Sequence, residues 1–203
     1  MNQRQARAGI DVSELRSYAF SHSSLLWWGT LGMIAIEGTV FALVIAAYFY
    51  ARTHSDVWPM SMAPPDLLWG TLNTAVLVAS ALPNHLAKQA AEHHQLQRVR
   101  LWLCVGLLLA AVFLAIRVME FAALNVRWDS NAYGSIVWTL MGLHTAHLVT
   151  DVADTVVLAV LFFTGPLDGK RFVDVSENSM YWYFVVWAWL PIYLTVYWGA
   201  RAL

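Results

Sequence analysis

Apolar residues fill five long stretches of this chain, about 25–51, 67–87, 101–123, 135–164 and 179–200. Each is long enough to cross a membrane, which takes about 20 residues in a helix. The pattern therefore predicts an all-α fold, an integral membrane bundle of five transmembrane helices over residues 25–203. A polar segment, 1–24, precedes them. It has no apolar core of the secretory type, so the first span itself is expected to direct insertion. We read 1–24 as a solvent-exposed arm with a short surface helix around 11–19. The segments between spans are 52–66, with three prolines, then 88–100, 125–133 and 165–177. The 88–100 segment reads as a short helical extension or a loop, and Pro83 is expected to kink the end of the second span.

The fourth stretch departs most from uniform hydrophobicity. His144, His147, Asp151 and Asp154 are spaced i, i+3, i+7, i+10. At 100° per residue they fall within about 80° of one helical face. Lipid cannot partner such a stripe, so it is expected to face protein or water as a polar seam. Two carboxyls at i, i+3 repel if both ionise, so at least one is expected to be protonated or paired. Asp151→Leu is therefore expected to strand a partner group, and Asp151→Asn to be tolerated. His147 and the two aspartates could ligate a divalent ion only with further well-placed ligands, and the expectation is no metal.

Other charges interrupt the spans singly. Glu37 lies about 18 Å into the first span. A bare carboxylate at that depth costs at least about 2.5–3.5 kcal/mol, so Glu37 is expected to be protonated, hydrogen-bonded or both. It is read as a proton-handling group or as a neutral acid bonded to a neighbour. Arg117 and Glu120 are i, i+3 and can pair. Glu120 and His144 should lie at similar depth on adjacent antiparallel spans, where a direct Glu–His hydrogen bond would clamp them.

Composition sharpens this. Of 203 residues, 59% are hydrophobic and 12% charged, half the charge of a soluble domain at about 25%. A net charge of −1 gives no electrostatic case for nucleic acid. Cys104 is the single cysteine and reads as a small apolar residue. No phosphate-binding loop, nucleophile–base pair or cysteine cluster is present. His85 and His144 differ in depth, which argues against haem in this chain. The many Trp and Tyr of the fifth span read as a packing wall. Up-and-down topology puts eight Lys/Arg on the side of the N-terminus and three (Arg52, Arg127 and Arg201) on the other. The N-terminus is then cytoplasmic, in an inner or plasma membrane.

Several short motifs occur in a familiar order. Leu72-Asn73-Thr74-Ala75-Val76-Leu77-Val78-Ala79-Ser80 follows Trp58-Pro59 and a proline-rich loop. Met119-Glu120-Phe121 is followed by Tyr133-Gly134-Ser135 and then Gly142-Leu143-His144. Tyr181-Trp182, Phe184-Val185, Trp189, Tyr193 and Tyr197-Trp198 close the series. Together with Glu37, the chain resembles subunit III of haem–copper oxidases, the cytochrome c and quinol oxidase group, in a divergent five-span form. Met141, Tyr183 and Val186 depart from the family pattern, and His147, Asp151 and Asp154 are additions to it. The resemblance implies a non-catalytic subunit of an aerobic respiratory complex that reduces O2 and pumps protons. It implies haem and copper in the partner catalytic subunit and none here, contact with subunits I and II, bound phospholipid, and support of assembly and proton uptake. A subunit-III-like protein of nitric oxide reductases and an autonomous membrane proton or ion conductor are the alternatives.

Overall fold

The computed structural model describes residues 19–201. Among the described residues the chain is all-helical, with no strand. The long helices are α1 (Leu25–Thr53), α2 (Leu67–Glu92), α3 (Leu96–Ala122), α4 (Ala132–Thr164) and α5 (Gly169–Tyr193). A short 3-10 turn at Ser21–Ser23 precedes α1, and a π-helical end at Leu194–Trp198 prolongs α5. Except for residue 19, the surface helix expected around 11–19 lies outside the described residues.

Helix starts follow from side chains that take up otherwise unpaired backbone N–H groups. Ser24 accepts from Leu26 N at 3.1 Å, Asp66 Oδ1 from Leu68 N at 3.1 Å and Asn131 Oδ1 from Gly134 N at 2.8 Å. Three helices outrun their apolar stretches by five residues or more. α2 runs through Pro83, expected to kink its end, and stops at Glu92. α3 begins at Leu96, so most of the 88–100 segment is helical. α5 begins at Gly169, ten residues before the apolar stretch starts at 179. These extensions are amphipathic. Ala87, Ala90, Ala91, Val99, Phe162, Phe172 and Val175 share a small core of their own, and a search for continuous apolar runs passes over them.

α2 packs on α3 and α5, and α4 packs on α3, α5 and α1. α2 and α5 approach closely at Gly70, where an added Cβ would stand 2.3 Å from Cζ of Tyr197. Among the long helices, α1 packs mainly on α4 and α5. Its buried residues, Phe41 and Tyr48, both lie in its second half, and its first half reaches the main core through the partly buried Ile34. The connections gather at two ends. At one, Asp66 N bonds Ala123 O, Asn125 Nδ2 bonds Pro64 O, and Arg201 donates to Pro65 O. At the other, Ser176 Oγ donates to Glu92 Oε1 and Arg100 Nε to Phe162 O. Consecutive helices are thus antiparallel.

Helices α1, α3 and α4 are long and apolar enough to cross a membrane. Their outward faces are apolar too, with Ile36, Leu43, Leu108, Val118, Val157 and Val160 exposed. In water such a surface would be a large unpartnered patch. In a bilayer it is an ordinary lipid-facing surface.

Candidate functional site

The polar residues form two groups. The first is closed and lies among α2, α3, α4 and α5. Glu120 Oε2 receives Asn73 Nδ2 at 2.6 Å and pairs with Arg117 Nη1 at 3.0 Å, while Glu120 Oε1 receives the Tyr197 hydroxyl at 2.6 Å. Arg117 Nη1 also reaches Met141 Sδ at 3.6 Å, and its Nη2 lies 3.2 Å from His144 Nδ1. The guanidinium carbon sits 4.7 Å from the Phe113 ring centroid and 4.1 Å from that of Trp189. Weak hydration and planarity suit arginine to such stacked burial. His144 Nε2 lies 3.0 Å from Val185 O. A carbonyl only accepts, so Nε2 carries the proton and Nδ1 accepts from Arg117. Arg117, Glu120 and His144 are all buried.

The expected direct bond between Glu120 and His144 is not formed. Arg117 bridges them. The depth match was legible in the sequence, but two groups with a guanidinium between them each gain more from it than from one another. Met141 supplies a sulfur to the same Nη1 that pairs with Glu120. Asn73 and Tyr197 also belong to this cluster, although their sequence context gave only a motif. Asn73 Oδ1 and Arg117 Nε have no hydrogen-bond partner among the described residues.

The second group is open. The first half of α1 and the facing parts of α4 and α5 bound a crevice of about 440 Å³. Glu37 enters from α1, Asp151 and Asp154 from α4, and Arg171, Asp174 and Glu177 from α5. Glu37 Oε2 accepts from the Tyr181 hydroxyl at 2.7 Å, and its Oε1 lies 3.5 Å from His147 Nε2. His147 Nδ1 lies 2.6 Å from Leu143 O, which fixes the proton on Nδ1. Nε2 of neutral His147 is then an acceptor, so a hydrogen bond between it and Glu37 needs one further proton on either side. Arg171 Nη1 pairs with Asp174 Oδ2 at 3.5 Å.

The stripe on α4 is therefore divided between the two groups. His144 and Asp151, at about 0° and −20° on the helical wheel, are buried. His147, at about −60°, is half-buried against Glu37, and Asp154, at about −80°, is exposed on the crevice rim. His144 serves the closed cluster and the other three line or border the crevice. Neither oxygen of Asp151 has a hydrogen-bond partner among the described residues, and the same holds for Glu177. Of the seam expected along this face, His144 and His147 meet partners in the chain, and Asp151 meets none among the described residues. Among the described residues, no three His, Cys, Asp or Glu side chains are placed to hold a metal ion.

Comparison with known proteins agrees with this architecture. The family model described as cytochrome c oxidase subunit III matches residues 17–201. The chain is 24% identical over 183 residues to cytochrome c oxidase subunit 3 of Thermostichus vulcanus, covering 89% of this chain and 90% of the relative. It is 27% identical over 186 residues to the probable cytochrome c oxidase subunit 3 of Nocardia farcinica, covering 90% and 92%. The Glycine max subunit 3 is 24% identical over 182 residues, which is 84% of this chain and 67% of that protein. Motif order, helical architecture and a match over nearly the whole chain agree: the chain belongs to the cytochrome c oxidase subunit III family.

Proposed function

We propose that this chain is the integral, non-catalytic subunit III of a terminal haem–copper oxidase. All five helices cross the membrane, with the N-terminus on the cytoplasmic side. The observation that carries the reading is the family match over 17–201. Haem and copper belong to a partner catalytic subunit, against which one apolar flank of the bundle packs, and phospholipid covers the rest. α2 and α5 are 26 and 25 residues long, and their intramembrane polar groups are largely satisfied by neighbouring helices. Asn73 reaches Glu120, Thr74 receives Trp189 Nε1 at 2.7 Å, and Ser80 receives Trp182 Nε1 at 3.0 Å. Such pairing lets a moderately polar helix sit inside a membrane bundle.

The test is purification of the tagged chain from its own membranes in mild detergent. Haem-containing chains should co-purify in fixed stoichiometry, and a reduced-minus-oxidised spectrum of the preparation should show oxidase haems. A homo-oligomer without haem would instead favour an autonomous conductor. Orientation is tested separately. A cysteine placed at Gln95 should react with an impermeant maleimide in inverted vesicles and not in intact cells. The opposite pattern would reverse the topology.

A further inference from the structure

A smaller cavity lies among α2, α3, α4 and α5, nearer the α2–α3 turn than the Arg117 cluster is. Ser80 and Asn84 line it from α2, Thr155 from α4, and Asn178, Ser179 and Trp182 from α5. Most of these spend their polar groups locally. Asn84 Nδ2 donates to Ser179 O at 3.0 Å, and Asn178 Nδ2 to Thr155 Oγ1 at 2.9 Å. Trp182 Nε1 donates to Ser80 Oγ at 3.0 Å. Ser80 and Thr155 return their own hydroxyl hydrogens to Leu77 O and Asp151 O. Three groups are left over. The amide oxygens of Asn84 and Asn178 and the hydroxyl of Ser179 engage in no hydrogen bond among the described residues. Ser179 is only 2% exposed. Thr139, Thr145 and Thr164 each bond back to their own helix, the usual recourse of a hydroxyl in a helix. Ser179 does not.

Size and chemistry name the occupant. The cavity volume is about 30 Å³. One water takes up about 10–15 Å³ of such space, so there is room for about two and none for a larger organic group. A buried water typically makes about three hydrogen bonds. Here it can donate to the two amide oxygens and accept from the Ser179 hydroxyl. Left alone, those groups would carry the desolvation cost of unpaired polar atoms. Cavities that stay dry are apolar, and this one is not. A cation is the poorer fit. Among the described residues no Asp or Glu lines this cavity, so a buried charge would meet no counter-charge.

We propose that this cavity is a hydration site, in which about two waters bridge Asn84 on α2 to Asn178 and Ser179 on α5. Asn178 also lines the crevice of α1, α4 and α5, which gives water its way in. Direct bonds close the half of the bundle that holds Arg117 and Glu120. Water-bridged bonds close the half nearer the α2–α3 turn. The site follows from this chain's own packing and does not depend on the subunit reading.

The test is radiolytic hydroxyl labelling of the intact assembly in mild detergent, read by peptide mass spectrometry. A short X-ray pulse splits water in place, and the hydroxyl radical oxidises the side chains beside it. Trp182 lines the cavity, whereas Trp189 packs on Arg117, and both are buried. Trp182 should be oxidised severalfold faster than Trp189. Asn84→Leu fills the cavity with an apolar side chain. Ser179→Ala removes one water ligand and keeps the carbonyl that Asn84 uses. Both should slow oxidation of Trp182, the leucine variant by more, and leave Trp189 unchanged. The comparison within the parent stands whether or not a variant assembles. Equal oxidation of Trp182 and Trp189 in the parent overturns the site. So does a Trp182 rate that holds at the parent value in both variants, because the water oxidising it would then stand elsewhere.

Discussion

The Arg117–Glu120 cluster and the α1–α4–α5 crevice hold similar residues in opposite states. Each draws on α4 and α5, and each has carboxyls inside the membrane-spanning part of the bundle. In the cluster, one glutamate meets an arginine, an asparagine and a tyrosine hydroxyl. In the crevice, two buried carboxyls meet no donor among the described residues. The difference lies in the fourth wall. α2 and α3 close the cluster, whereas α1 buries Phe41 and Tyr48, both in its second half, and its first half borders the open crevice. A closed polar group fixes the packing of its own chain. An open one stays available to something outside it.

The strongest way to break this contrast is to open the cluster. Glu120→Leu removes the partner of a buried arginine and should cost about 3–5 kcal/mol, read as loss of folded subunit or a large fall in the unfolding temperature of the complex. If Glu120→Leu were as stable as the parent, the cluster would not be the clamp described here. Gly70→Ala presses a methyl group into the ring of Tyr197. It should cost about 1–3 kcal/mol by pushing that hydroxyl off Glu120, and Tyr197→Phe in the same background should recover little.

Asp151 sharpens the comparison from the other side. Sequence reasoning expects Asp151→Leu to strand a partner, but the described residues supply none. In the isolated subunit, Asp151→Leu should therefore be neutral or stabilising. In the assembled complex, where a neighbouring chain can bring a donor to this carboxyl, the same change should cost about 1–3 kcal/mol, with Asp151→Asn milder. Equal effects in both preparations would mean that the crevice has no external occupant. Smaller still is Tyr181→Phe, which removes the donor to Glu37 Oε2. It should cost about 0.5–1.5 kcal/mol and leave the spectrum of the co-purified haems unchanged. A changed haem spectrum would show that the crevice communicates with the redox centres.

Some of this was written in linear order. The five long apolar stretches set the helix number, because a chain in lipid must satisfy its backbone internally. Ser24, Asp66 and Asn131 mark helix starts by local chemistry. The i, i+3 spacing put Arg117 beside Glu120, and the helical period put four polar residues on one face of α4. Other features depended on how the helices docked. A 20° difference in azimuth separates His144 from Asp151, yet one meets a guanidinium and the other an open crevice, and only the placement of α3 and α1 makes that distinction. Arg117 stands between Glu120 and His144 because α3 and α4 pack at one particular rotation. Polar helix extensions at 88–100 and 169–178 fold because they bury faces against each other, a benefit absent from either segment alone. The sequence by itself determined the elements and their periodicity, which arise from interactions within a few residues. Tertiary structure decided which buried charges are neutralised, because a partner on another helix depends on distances and rotations that no local pattern contains.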